Sequence, residues 1–382
     1  SDEGKWSVIF DGTDDYIDVG SSNATQLGSG DFTVEFWIRT TDTSFNIANP
    51  DSGNGSGYWG LMVQSGDLRW NDSYNVSNKW VVDGAGILDD AWHHVAIVRN
   101  SGTIAVYYDG TSQSAQSGSF SDSTDYSGSD GLRIGSGNLD EFAGYLSNFR
   151  TVSGTAVYTS NYSAPTTPLT AITNTKVLVC CSNRFRDKST SAHTITTSSE
   201  PKIQPFSPFA PSAAYDSAVN GGSGYFDGGS DYLRLPTSND FDFSGSFTIE
   251  AWVYLEDTST FRTVLGTCAN SGGAGGIFFG TNSSQKLVFF QYITNTTLIT
   301  SSSSIIKHQW NHVAAVRNGT SITLYINGTS VGSATDSRSY SGDSANGGVG
   351  GFYSNPQTFY WDGFMSDMRV VNGTAVYTSN FT

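Results

Sequence analysis

Charge, cysteine and long apolar runs are all scarce in this 382-residue sequence, and each shortage excludes something. Only 14% of residues are charged, and 19 Lys and Arg face 35 Asp and Glu for a net charge of −16. Phosphate backbones need a basic surface, so nucleic acid is excluded as a partner. Three cysteines (Cys180, Cys181 and Cys268) are an odd number with two adjacent. That pattern builds neither a disulfide framework nor a metal-ligand spacing, and it reads as free thiols in strands. No apolar run reaches the length of a membrane span, so membrane insertion is not expected. The opening SDEGKW is no signal peptide, and any export signal is expected upstream. Glutamate is also rare: six Glu stand against 29 Asp. Aspartate is a turn-forming residue, which places much of the acid in loops, where it keeps an exposed protein in solution.

What is abundant points one way. Aromatics make up 13% of the chain, with 23 Phe, 19 Tyr and 9 Trp, alongside much Gly, Ser, Thr and Asn. This suits β-structure with many turns. The chain also repeats itself. GTAVYTSN stands at 154–161 and again at 373–380. SVIFDGTDDYIDVG (7–20) aligns with SGYFDGGSDYLRLP (223–236), and DFTVEFWIRTTDT (31–43) with SFTIEAWVYLEDT (246–258). AWHHVAIVRNSGTIAVYYDGTS (91–112) aligns with QWNHVAAVRNGTSITLYINGTS (309–330). Two long collinear copies mean tandem domains and not a short-period solenoid.

Within each copy the period is two. Phe32, Val34, Phe36 and Ile38 share one face of a strand, while Thr33, Glu35, Trp37 and Arg39 share the other, which predicts a half-buried strand. The stretches 94–99 and 103–108 flank Asn-Ser-Gly, and 312–317 and 321–326 flank Asn-Gly, as hairpins do. No amphipathic helix longer than ten residues is apparent. The fold expected is all-β: one two-sheet antiparallel sandwich, or jelly roll, per copy.

These spaced motifs, FDG-x-x-DY, F-T-[VI]-E-[FA]-W, W-x-H-V-A-x-V-R and G-[YF]-x-S-[ND]-x-R, resemble the laminin-G-like branch of the concanavalin-A-like lectin/glucanase superfamily. The ending GTAVYTSNFT is similar to modules of marine phage structural proteins and of some bacterial surface proteins. KVLVCC (176–181), FRDKS (185–189) and AHTIT (192–196) resemble the opening strands of such modules. The domains expected are therefore 1–172 and 173–382, with the first lacking its opening strands. The other arrangement open to the same residues has 176–200 closing the first unit and leaves the second incomplete. Both make the chain a segment of a longer array, an expectation that a native mass near 40.8 kDa would overturn.

Three chemistries follow from the resemblance. Glycoside hydrolysis needs two carboxylates across a cleft, in this superfamily set on one strand as E-x-D-x-E. No such run exists; Glu35 and Glu250 each stand alone and are expected to pair with Arg99/Arg317 or Arg150/Arg369. His94 and His312 are expected to pack or hydrogen-bond. An enzyme is not expected. Structural calcium is the second chemistry, with Asp11, Asp14 and Asp15 as candidate ligands in copy one and Asp227, Asp231 and Asp362 in copy two. The rival reading is that these aspartates only build turns. Sugar binding is the third, through aromatics the copies do not share: Tyr58, Trp59, Trp70, Tyr74 and Trp80, and Tyr292 in copy two. Trp37/Trp252 and Trp92/Trp310 recur and read as scaffold.

The function expected is a non-catalytic adhesion module, extracellular or on a virion surface, that holds a cell-surface glycan as part of a phage tail or capsid fibre. The alternative is a structural spacer that contacts other protein subunits. Buried aromatics would favour the spacer, and aromatics exposed together would favour the lectin.

Overall fold

The computed structural model describes residues 4–20, 23–51, 57–71, 78–137, 141–209, 222–236, 238–267, 275–291, 296–340, 347–351 and 359–382. Two compact units divide the chain, Ser1–Ala213 and Ala214–Thr382. Unit one holds β1 (Ser7–Asp11), β2 (Tyr16–Gly20), β3 (Phe32–Arg39), β4 (Phe45–Pro50), β5 (Gly60–Gln64), β6 (Asp67–Asn71), β7 (Asn78–Asp83), β8 (His93–Asn100), β9 (Thr103–Tyr108), β10 (Thr111–Ser112), β11 (Ser117–Gly118), β12 (Leu132–Ile134), β13 (Ala143–Ser153), β14 (Thr175–Val179), β15 (Thr194–Ser198) and β16 (Lys202–Gln204). One sheet runs β10-β9-β8-β3-β13-β1-β16, with β14 also on β13; the other runs β11-β7-β6-β5-β4-β12-β2-β15.

Unit two holds β17 (Gly224–Asp227), β18 (Leu233–Arg234), β19 (Phe247–Leu255), β20 (Arg262–Gly266), β21 (Ile277–Thr281), β22 (Lys286–Gln291), β23 (Thr296–Ser304), β24 (Trp310–Asn318), β25 (Ser321–Ile326), β26 (Thr329–Thr335), β27 (Gly348–Val349) and β28 (Asp362–Asn372). Its sheets run β17-β28-β19-β24-β25-β26 and β18-β27-β20-β21-β22-β23. Each unit is an antiparallel β-sandwich, as the alternation of its residues predicts. Among the described residues there is no α-helix, only the single 3₁₀ turns Ala85–Ile87 and Asn239–Phe241.

The inward residues of β3 (Phe32, Val34, Phe36 and Ile38) are buried and join the first core, and Phe247, Ile249, Ala251 and Val253 of β19 do the same in the second. The strand β3 is not half-buried as expected, because its outer face is covered too. GTAVYTSN is the cover. In unit one Gly154 N–H donates to Asp31 O, and Thr33 Oγ1 donates to Thr155 O at 2.9 Å. Val157 N–H then returns a bond to Thr33 Oγ1, and Ser112 N–H donates to Asn161 Oδ1. Unit two repeats every step, through Ser246, Thr248, Val376, Ser330 and Asn380. Behind the phrase Tyr162 stacks on Tyr158 at 3.7 Å, and Phe381 on Tyr377 at 3.5 Å. Gly110 and Gly328 lie under this stack at φ +81° and +78°, where a Cβ would meet the carbonyl oxygen of Tyr162 or Phe381 at 1.8 Å. The recurring words are thus a clasp, and its residues recur because each closes the same bond twice.

The boundary expected at 172/173 lies at 213/214 instead. The strands β14, β15 and β16 pair with β13, β2 and β1, all in unit one. Val177, Val179, Ile195 and Ile203 enter its core. Of the two arrangements open to the sequence, the structure has the second, in which this segment closes unit one. The expected boundary would also put IQPFSPFAP (203–211) inside unit two. Its described part instead packs on unit one, with Phe209 against Trp37 and Phe206 against Trp92 and Tyr145.

Candidate functional site

Glu35 is the most completely buried carboxylate in the chain's recurring motifs, and its partners define what it can do. It lies mid-strand on the outer face of β3, under the clasp. Arg150 donates to Oε1 through Nε (2.9 Å) and Nη2 (2.6 Å), Tyr158 donates its hydroxyl to Oε2 at 2.8 Å, and His94 Nε2 lies 3.2 Å from Oε2. Burial by itself would raise this carboxyl's pKa, but the His94 bond and the Arg150 charge outweigh it and hold the group below its ordinary value. Unit two rebuilds the network with Glu250, Arg369, Tyr377 and His312. Of the two pairings expected, Arg150/Arg369 is the real one. Arg99 instead donates to the carbonyls of Gly30, Thr124 and Gly28, beneath Phe32 and Tyr126. A carboxylate saturated by four donors and shut from solvent has no face left for a substrate, which makes this network a cross-brace. The role of Tyr158 and Tyr377 was missed in the sequence; the identical recurrence of their phrase was the signal.

Most of the aromatics expected to meet sugar do not reach the surface. Trp59, Trp70 and Trp80 are buried. Trp70 stacks on Trp59 at 4.9 Å and 5°, and on Trp80 at 6.1 Å and 18°. Two of the indole N–H groups are used inside: Trp59 donates to Thr25 O at 2.7 Å, and Trp70 to Tyr126 Oη at 3.0 Å. The directly opposed pair Trp70–Trp80 across β6 and β7, with Trp59 just before β5 stacked on Trp70, puts these rings on one inward face, so they are core. Phe278, Phe279, Phe289 and Phe290 in unit two are buried likewise. Tyr58 alone is partly open, with its hydroxyl 3.4 Å from Ser129 O. Tyr74 and Tyr292 lie outside the described residues.

The aspartates gather in copy one and not in copy two. Carboxylate oxygens of Asp11, Asp14 and Asp15 lie within 4.8 Å of one another, and among the described residues no other trio of possible ligands does so. Within this turn Asp11 Oδ1 accepts from Thr13 N–H at 2.8 Å. Asp15 is buried and accepts from Asp11 N–H (3.1 Å) and Glu200 N–H (2.8 Å). Its pKa is raised, first by burial and then by the charges of Asp11 and Asp14, which outweigh the two backbone bonds. Asp14 is exposed. The trio has the hard oxygen donors a calcium ion takes.

In copy two Asp227 caps its own turn, accepting from Gly229 N–H (2.8 Å) and Ser230 N–H (3.0 Å), and these bonds lower its pKa. Asp231 Oδ2 accepts from Asp227 N–H. Asp362 faces Asp227 across the β17–β28 ladder, but its carboxylate has a guanidinium beside it: Arg262 Nη2 lies 3.6 Å away. The same Arg262 donates to Asp257 Oδ2 at 2.6 Å and to Tyr360 O at 2.8 Å. The expected set Asp227, Asp231 and Asp362 is therefore not assembled as a trio, and the cation beside Asp362 is the protein's own arginine.

Cys180 and Cys181 are free and buried. They follow β14 and do not lie in a strand, with Cys180 at φ 58°. Cys268 lies outside the described residues.

The chain is similar to several known proteins. The chain is 27% identical over 109 residues to the non-toxic nonhemagglutinin of Paraclostridium bifermentans, which is 27% of this chain and 9% of that protein. The chain thus spans less than a tenth of that curated relative. Solved structures include domains LG4-5 of the mouse laminin alpha1 chain, at 14% identity and a TM-score of 0.32, covering 95% of this chain and 88% of that one. The SAP-like pentraxin of Limulus polyphemus matches at 15% identity and a TM-score of 0.39, over 55% of this chain and 99% of that one. Domain 4 of the extracellular GH43 arabinanase AbnA of Geobacillus stearothermophilus, in complex with arabinotriose, matches at 21% identity and a TM-score of 0.30, over 43% of this chain and 76% of that one. Residues 11–156 and 227–376 each match one laminin-G family, and through both of them the chain belongs to the concanavalin A-like lectin/glucanases superfamily.

Proposed function

We propose that this chain is a non-catalytic structural module of an extracellular or virion-surface assembly, which engages other protein subunits through its sandwich surfaces. The observation that carries this reading is the burial of Trp59, Trp70 and Trp80. A lectin site needs aromatic faces presented to solvent, and here the indoles that distinguish copy one are spent on packing. The saturated Glu35 and Glu250 networks support the non-catalytic part. The virion setting rests on the resemblance of GTAVYTSNFT to phage structural modules. No helix among the described residues is long and apolar enough to cross a membrane.

Glycan attachment is the second reading, favoured by membership in a superfamily of lectins and by the partly open ring of Tyr58. A glycan array on the whole chain separates the two. Retention of no glycan is the expected result. A glycan held by the wild type and lost in Tyr58→Ala overturns the structural reading. The proposal includes one structural calcium ion at Asp11, Asp14 and Asp15. Calcium added to EDTA-stripped chain raises the melting temperature of unit one, and Asp14→Asn removes the rise. Absence of any calcium-dependent shift eliminates that ion.

A further inference from the structure

Unit one uses one segment to close three strand edges. Along β13 the pairs Phe149–Val179 to Val152–Thr175 lay β14 on its outer edge. The strand β15 closes β2, and β16 closes β1. Unit two has the counterparts of the closed strands: β28 for β13, β18 for β2 and β17 for β1. Among the described residues no strand lies on their outer edges.

Burial records the same difference position by position. Ile17 on β2 is 1% exposed, while Leu233, which aligns with it on β18, is 62% exposed. The Arg150 side chain is 6% exposed and that of Arg369 53%. Phe149 is fully buried and Met368 is not. Asp15, which accepts the Glu200 N–H of the closing segment, is buried, and its counterpart Asp231 is exposed. The backbone supplies an independent mark. In unit one Asn148 sits at φ 51° in a bulge of β13, and its N–H donates to Cys180 O of the closing segment at 3.0 Å. Unit two keeps the bulge, with Asp367 at φ 50°. A left-handed non-glycine residue is strained, and unit two retains that strain where its described residues supply no closing segment. Exposed edges are usually guarded by lysine or proline. The outer stretch of β28 has neither; it carries Met368, Val370 and Val371 alongside the exposed charges of Asp367 and Arg369.

We propose that unit two binds a strand-forming polypeptide segment of the pattern of residues 174–204, offered from outside residues 1–382. It would add a strand to β28 at the Asp367 bulge, place valine-type side chains over Met368, and cover Leu233 and Tyr225 by strand addition. This names the partner chemistry for the subunit-contacting reading, yet it stands on the strand edges alone. A positive glycan array would overturn that reading and leave this one intact.

The test uses the full chain and a synthetic peptide of residues 174–204 under reducing conditions, read by hydrogen–deuterium exchange. The expected result is saturable, one-to-one protection of the backbone amides of 224–227 and 366–372. A peptide carrying Val177→Asp and Val179→Asp gives none. Leu233→Asp, at an exposed position that tolerates it, weakens peptide binding at least tenfold. A second protein with residues 164–204 appended after Thr382 raises the closing segment's effective concentration. It shows the same protection without peptide and a higher melting temperature for unit two. Three results overturn the proposal. One is protection of those amides in the unmodified chain alone. Another is protection that grows with chain concentration, which makes a second copy the occupant. The last is no protection in either the peptide mixture or the appended protein.

Discussion

Removing Glu35 should harm unit one far more than removing Glu250 harms unit two, although the two residues align and keep equivalent partners. The reason is the arginine left behind. Arg150 is sealed beside Glu35, with Nη1 donating to Thr170 O at 2.6 Å, and its side chain is 6% exposed. Glu35→Ala strands that guanidinium in the interior, along with the Tyr158 hydroxyl and His94. Breaking a buried pair from one side costs about 3–5 kcal/mol. Arg369 is 53% exposed and can turn to water when Glu250 is removed. Glu250→Ala then leaves mainly Tyr377 and His312 short of a partner, a loss of about 1–3 kcal/mol. A module of this size shifts about 2–4 °C per kcal/mol, so the Glu35 variant should lower its transition by roughly 6–20 °C. Calorimetry on the full chain, with exchange mass spectrometry to assign each transition to its unit, reads both changes. Two further variants keep the test sharp if Glu35→Ala does not fold. Tyr158→Phe removes one bond to a charged acceptor and should lose about 1.5–3 kcal/mol. The double change Glu35→Met with Arg150→Met should recover most of the single loss, because replacing both charges leaves nothing stranded. Equal losses in the two units, or a larger one for Glu250→Ala, would refute the argument.

Trp70→Ala should destabilise unit one by about 3–5 kcal/mol, while Tyr58→Ala stays within about 1 kcal/mol in the same melting assay. Comparable losses would mean that Trp70 is not a core residue. His93 lies between Asp109 (2.7 Å) and Asp89 (2.9 Å), and these two bonds outweigh its burial and raise its pKa above the ordinary 6.5. Its folded form therefore favours the proton. That contribution is full below the unfolded value and fades as pH rises through the folded one, so the unit-one transition should fall as pH rises above about 6.5. His93→Gln should flatten that slope, and an unchanged slope would refute the assignment. Gly110→Ala and Gly328→Ala should each lose more than about 1 kcal/mol and speed amide exchange at 162 and 381, since φ is positive and a carbonyl blocks the Cβ. Normal stability in either would mean the clasp does not rest on that glycine.

How much of this was legible in the sequence depends on whether a side chain's fate is settled locally. Alternation in FTVEFWIR fixes which residues share a face, and tandem repetition of five motifs fixes the number of sandwiches, so both are readable without coordinates. The Glu35–Arg150 pair was within reach because only two recurring arginines were available to choose between. Trp59, Trp70 and Trp80 were misjudged because Gly, Asn and Asp around them resemble a surface loop. Their strands actually face inward at alternate positions, and the turns between them carry the polar residues.

The closing segment failed for a deeper reason. A strand's own residues say that it pairs, while the partner is selected by free edges elsewhere in the fold. TKVLV carries the same alternation whether it opens one sandwich or closes another. What decides is that β13 presents a bulge at Asn148 and an edge lined by Phe149 and Val152, nearer along the chain to β14 than β28 is. Loop closure over that span costs less than over the longer path to β28, so the nearer edge is filled, and among the described residues the farther one carries no such strand. The thirteen strands β1–β13 of unit one are thus shut by the residues that follow its clasp, while among the described residues the matching edge of β28 carries no such strand.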